Sequence, residues 1–476
     1  MLFNSFEFLL VFLPLVLLVY FLLPHRGQNV WLVIASCVFY ASWDWRFLLP
    51  LICTTTLDYW VSRRLEHLSF TQAPREQRRR YLVISLVANL GLLGFFKYCN
   101  FFIASAAQLL HALGMDVPLP ALNIILPVAI SFYTFQAMSY TIDVYRGELH
   151  ATRSFWDFFL AVLYFPHLVA GPIQRAATLL PQVCNPRRIE RHRVVDGLHL
   201  MLWGYFKKVY IADNLSPIVN HVFAQGSASG GATVLGVLAF AFQIYGDFSG
   251  YTDIARGVAK VMGFDFVLNF NLPYFATNPA DFWKRWHISL SSWLRDYVYK
   301  SLGGNRGGTA RTYRNLMITM LLGGLWHGAA WNFVLWGCFH GAILVVHRAS
   351  QRALAAIGSV FGSLPWAWAA IRILCMFVLT CYGWLLFRAT SLRQVFEMTR
   401  ALAHPGQGLD GPLFAQVGLI VAPLLLVQVL QWRAGELQFG RIAWIPAPLK
   451  VIAYALMVYA ILFLGGAPQS FVYFQF

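Results

Sequence analysis

Four of the 13 histidines lie in apolar stretches: His167 in FPHLVAGP, His287 in KRWHISLS, His327 in LLGGLWHGAAWNF and His340 in WGCFHG. Imidazole titrates near neutrality, so it can shuttle protons at pH 7. A lone histidine in such a run is more often a core residue buried neutral. His327 stands above that background. It follows LMITMLLGGLW, which has no other titratable group, and Gly323, Gly324 and Gly328 flank it. Glycines let a backbone or ligand approach closely, at a cost of ~1 kcal/mol each within a helix. On a single helix, His327 and His340 would sit roughly 220° and ~20 Å apart, too far to share an ion. The chain has no H-x-x-x-H or H-E-x-x-H pattern, which argues against zinc, and no G-x-S-x-G elbow, which argues against a hydrolase serine. What remains is histidine as an acid–base group, of the kind acyl transfer uses.

Two other stretches carry polar chemistry where lipid would not tolerate it. QIYGDFSGYTDIARG (243–257) sets Asp247 and Asp253 among apolar residues, with Gly246 and Gly250 permitting a broken helix. An ionisable group at membrane depth is a functional candidate, because it costs several kcal/mol unless it is paired or lines a cavity. Six residues apart, these carboxylates point about 240° apart on a helix and cannot chelate one ion; a structural hydrogen-bond network is the better reading. The second stretch, DFWKRWHISLSSWLRDYVYKSLGGNRGG (281–308), is amphipathic and too polar to span a bilayer.

The elements that hold these residues are membrane helices. Of 476 residues, 58% are hydrophobic and 12% charged, about half the charge of a soluble domain. Uncharged runs such as FLLVFLPLVLLVYFLLP (8–24), and those including 231–244, 373–387, 414–430 and 451–466, approach the ~20 residues that cross ~30 Å of hydrocarbon. The expectation is an all-α polytopic membrane protein of roughly 10–12 segments, one transmembrane domain over 1–476. Residues 8–24 lack a basic n-region and a small-residue cleavage site, so they read as a retained first helix. The net charge of +16 comes from basic clusters between apolar runs, as in RRLEHLSFTQAPREQRRR (63–80), RRIERHR (187–193) and 284–315. Positive-inside bias accounts for these without nucleic acid and puts them on the cytoplasmic side. The seven cysteines form no C-x-x-C pair and read as small core residues. FVYFQF (471–476) is uncharged, with four aromatic residues and a single hydroxyl, that of Tyr473. Such a tail is expected to dock, on the outer side by the charge reading, and by itself resembles an aromatic interface anchor.

FPHLVAGPIQR (165–175), YGDFSGYTDIARG (245–257), 281–308 and LLGGLWHGAAWNFVLWGCFHG (321–341) together resemble the membrane-bound O-acyltransferase family. Within it they are similar to the bacterial branch that O-acetylates exported polysaccharides such as alginate, and the similarity spans essentially the whole chain. The resemblance implies a helical bundle around a tunnel in the bacterial inner membrane. An acetyl group would pass from a cytoplasmic thioester, with acetyl-CoA the expected donor and no bound cofactor or metal, to a polysaccharide through a periplasmic SGNH-type partner. It implies His327 as catalytic general base and His287 in support, orienting the acceptor or hydrogen bonding the thioester carbonyl. It also implies Tyr473 as an acyl-carrying nucleophile. Lys284, Arg285, Arg295 and Arg306 are candidates for the donor's phosphates, though topology-setting charge explains them equally well. Related branches acetylate peptidoglycan or D-alanylate teichoic acid. A transporter with a histidine and aspartate proton relay is the non-enzymatic alternative; it would show paired half-helices, and none is visible.

Overall fold

A computed structural model describes residues 1–117, 120–169, 171–225 and 228–472. Tyr473 and the rest of FVYFQF beyond Val472 lie outside the described residues. Every regular element among the described residues is helical. Five stretches are long and apolar enough to cross a membrane: His25–Phe70, Arg75–Ala112, Gly230–Val261, Pro365–Arg388 and Gly411–Ala434. A sixth arises if Trp331–Ala349 and Gln351–Val360, bent by 64° at their junction, form one span. Glu7–Leu22 and Ala447–Phe463 are shorter apolar helices. Counting runs along the sequence divides this apolar length differently, because His25–Phe70 alone has 46 residues, about twice what one crossing needs.

The described residues cluster into two compact units, Met1–Leu198 with Ala255–Val267, and His199–Ile254 with Leu268–Phe476. In the first, Arg187 is a structural clamp and no mere topology signal. Its guanidinium donates to Tyr20 Oη at 2.8 Å, Asn29 Oδ1 at 2.7 Å and Gln28 Oε1 at 3.0 Å. Tyr20 in turn donates to the Met262 carbonyl at 2.6 Å. His167 is a satisfied core histidine, its ring nitrogens at 3.2 Å from Gln136 Nε2 and 3.1 Å from the Ala161 carbonyl.

In the second unit, the helix Gly230–Val261 runs through Gly246 and Gly250 without the break that their sequence suggested. These glycines serve close packing. A Cβ on Gly250 would lie 2.8 Å from the Gly204 carbonyl oxygen, and one on Gly246 would lie 2.9 Å from that of Lys207. Backbone contact at this range brings Lys207 and Lys208 against the polar face of the helix. Lys207 Nζ pairs with Asp253 at 2.7 Å and donates to Ser249 at 2.9 Å. Lys208 Nζ lies 2.7 Å from Asp247 and 2.8 Å from Asp213. Buried charges persist only when paired and hydrogen bonded. Asp247 and Asp253 therefore act separately, Asp253 paired with Lys207 and Asp247 sharing Lys208 with Asp213.

Candidate active site

Helices Thr309–His327 and Trp331–Ala349 form an antiparallel pair joined at 328–330. They touch at glycine: a Cβ on Gly324 would lie 2.2 Å from the Phe333 carbonyl oxygen, and one on Gly337 2.5 Å from that of Met320. His327 is the last residue of the first helix, so His327 and His340 are not on one helix as the spacing argument assumed. The indole of Trp336 lies beside both, its ring centre 4.9 Å from His327 and 4.6 Å from His340. The turn between the helices, invisible in an apolar run, is what brings them near each other.

The polar 281–308 stretch breaks into short helices, as its composition requires. Asn278 caps Pro279–Trp283, its Oδ1 accepting from Asp281 N at 2.8 Å. The chain then reverses at His287, whose φ of 44° and ψ of 52° are left-handed, before Ile288–Trp293 begins. Trp286 anchors this reversal, with ring centres 5.0 Å from Phe270 and 4.7 Å from Trp384. His287 is thereby placed 6.3 Å from His327, ring centre to ring centre, with Phe248 at 4.7 Å and Trp326 at 5.6 Å. Both histidines are buried, at 0% and 4% exposure.

A cavity of about 460 Å³ opens beside them. Its lining includes His327, Trp336, Thr319, Ser291, Lys284 and Arg295. Of the four basic candidates, Lys284 and Arg295 therefore reach the cavity. Arg295 shares its charge with Asp296 at 3.0 Å, whereas Lys284 is exposed and has no carboxylate partner among the described residues. Arg285 is engaged by Asp281 at 2.8 Å and the Asn271 carbonyl at 3.3 Å, and Arg306 lies exposed in a glycine-rich turn. Neither belongs to the cavity lining.

Residues of the C-terminal segment complete the surroundings. Segment 464–472 is seated against the Lys208 cluster: Lys208 Nζ donates to the Gln469 carbonyl at 3.0 Å, and Val472 N donates to Asp247 Oδ2 at 2.6 Å. Phe471 is fully buried, with its ring 4.6 Å from Tyr251 and 5.7 Å from Phe248, the same ring that meets His287. The doublet Lys207–Lys208 within apolar YFKKVYIA was the available clue, since two lysines there demand two acids.

The second unit thus carries a cavity that has the exposed Lys284 and Arg295 and the buried His327 in its lining, with the buried His287 beside His327. The fold that holds it is helical throughout the described residues, with five stretches long and apolar enough to cross a membrane. The chain belongs to the membrane-bound O-acyltransferase family. The family model matches residues 151–387, a range that includes both histidines. The chain is 43% identical over 441 residues to "Probable alginate O-acetylase AlgI" of Azotobacter vinelandii, covering 92% of this chain and 86% of that protein. The protein of that name in Pseudomonas putida is 38% identical over the full length of both. The "Peptidoglycan O-acetyltransferase" of Helicobacter pylori is 35% identical over 86% of this chain and 80% of its own length. Membership of this family makes the chain an O-acyltransferase.

Proposed function

We propose that the protein takes an acetyl group from a cytoplasmic thioester, acetyl-CoA, and passes it across the bacterial inner membrane for O-acetylation of an exported polysaccharide of the alginate type. The observation that carries this reading is a cavity that has Lys284 and Arg295 in its lining together with His327, with the His287 ring centre 6.3 Å from that of His327. The cations suit a phosphorylated carrier, and the histidines suit removal of a proton from an attacking hydroxyl. His327 and His287 are the catalytic histidines. Tyr473 is the intermediate carrier, and a periplasmic SGNH-type acetyltransferase takes the group onward. The alginate acceptor is favoured over peptidoglycan by the higher identity to the alginate relatives. The basic loops face the cytoplasm and segment 464–472 leads toward the periplasmic side, as the positive-inside rule requires.

A strain lacking this chain tests the proposal. Its exported polysaccharide is expected to be made in normal amount without O-acetyl groups, and the gene restored in trans should return them. Loss of acetyl groups from peptidoglycan alone would transfer the reading to the cell wall. Loss of polymer export would point to transport.

The cavity entrance makes a second expectation. Lys284→Gln should raise KM for acetyl-CoA about 5-fold and leave kcat nearly unchanged, since a point charge on a remote phosphate binds ground and transition states alike. Thiol release by the protein in liposomes measures it. A fall in kcat at constant KM would remove Lys284 from the donor's path.

A further inference from the structure

The hydrogen bonds around His287 determine which of its ring nitrogens carries the proton. Asn269 Oδ1 lies 3.2 Å from His287 Nδ1. The same Oδ1 accepts from the backbone N–H of Ser289 at 3.1 Å and from its hydroxyl at 2.9 Å; that hydroxyl, its one proton directed to Asn269, also lies 3.5 Å from His287 Nδ1. A backbone N–H can only donate, so the Asn269 atom facing it is the oxygen and not the amide nitrogen. That oxygen has no proton to give, so the bond to His287 needs a proton on Nδ1. In neutral imidazole the lone pair then belongs to Nε2. The backbone reinforces the arrangement: Ile288 N donates to the Asn269 carbonyl at 3.0 Å and Asn271 N to the Arg285 carbonyl at 2.9 Å. These bonds clamp His287 in its left-handed conformation, which non-glycine residues adopt rarely and which clusters at functional sites.

We propose that Asn269 is the positioning residue of the active site, holding His287 as the Nδ1–H tautomer so that Nε2 accepts the proton of the acceptor hydroxyl. This rests on the acyl-transfer reading above and divides the labour within it. The hydroxyl oxygen forms its bond to the acetyl carbon while its proton moves to His287 Nε2. The carbon–sulfur bond breaks and the thiolate leaves with the bonding pair, later taking a proton from the imidazolium or from water. The Asn269 oxygen steadies the imidazolium through Nδ1–H. Of the two supporting roles the sequence left to His287, donating from Nε2 to the thioester carbonyl would need the other tautomer; taking the acceptor's proton goes beyond orienting it and gives His287 the base's part that the resemblance assigned to His327. His327, which lines the cavity, then stands on the donor side and acts with His287 as one unit.

Asn269→Ala is expected to lower kcat for acetyl transfer ~10- to 100-fold with KM for acetyl-CoA unchanged, the usual scale for losing a group that orients a reactive histidine. Asn269→Asp keeps an acceptor for all three donors and should restore much of that rate. Its carboxylate also favours the imidazolium, so the acid limb of kcat against pH should move upward by about one unit or more. Among the described residues the titratable group facing His287 is His327. Phe248 and Trp326 do not titrate, and Asp247, next to Phe248, is paired with Lys208. Full kcat in Asn269→Ala, or an acid limb that stays in place in Asn269→Asp, would overturn the assignment. If the alanine variant fails to insert, the aspartate variant decides alone. The tautomer also has a readout independent of turnover. With 15N-histidine, and His287→Gln to assign the signal, Nδ1 should appear protonated and Nε2 not; the reverse overturns the inference even if acetyl-CoA proves not to be the donor. Absence of thiol release by the wild type would instead count against the donor.

Discussion

His327→Ala is expected to reduce polymer acetylation ~100- to 10,000-fold, to near background, while the protein remains in the membrane at normal level. A positioned acid–base group is worth this much in acyl transfer, and residues that act as a unit are lost together when either is removed. The imidazole is held edge-on between Trp336, at 4.9 Å, and Phe387, at 5.3 Å, so it has little freedom to miss its partner. Truncation leaves a void beside an existing cavity and disturbs no helix contact made through Gly324 and Gly337. Acetyl content of exported polymer and a monodisperse elution profile in detergent measure the two halves of the expectation. His327→Gln, closer in volume, should be as inactive. Wild-type acetylation by an inserted variant would remove His327 from the chemistry.

Tyr473→Phe is expected to abolish polymer acetylation at unchanged protein level. The substitution keeps the ring, and so any anchoring role, and removes only the oxygen. A phenol of pKa near 10 is a better leaving group than a sugar hydroxyl, so its acetyl ester retains much of the thioester's transfer potential. The preceding residues support a seated segment. Val472 N is bound to Asp247, Lys208 holds the Gln469 carbonyl, and Phe471 lies against Phe248, one ring removed from His287. Mass spectrometry of wild-type protein given acetyl-CoA should find the acetyl group on the peptide containing Tyr473. Wild-type acetylation by the phenylalanine variant, with no acetylated peptide, would reduce the segment to an anchor.

The helical, membrane-spanning class was legible because lipid leaves the backbone no other way to satisfy its polar groups, and apolar runs report that constraint directly. His327 stood out for a related reason: a titratable group framed by glycines in an otherwise apolar run has no local use. Asp247 and Asp253 could be read as paired for structure, because period 3.6 points them to different sides of a helix. Their partners could not, since Lys207 and Lys208 are some 40 residues away and become neighbours only where Gly204 and Gly250 let two backbones touch.

What the sequence determined by itself is therefore the solvent, the helical class and the family, all properties of residue type and local pattern. What only the tertiary structure decided is which side chains meet. It folded the 321–341 run into two helices and set His327 6.3 Å from His287. It left Arg285 and Arg306 outside the cavity lining and brought Asn269, an unremarked residue in VLNFNLPY, onto the imidazole. Such contacts follow from glycine-mediated backbone approach and from the need of every buried polar atom for a partner, conditions that are satisfied across the fold and leave no local pattern in the chain.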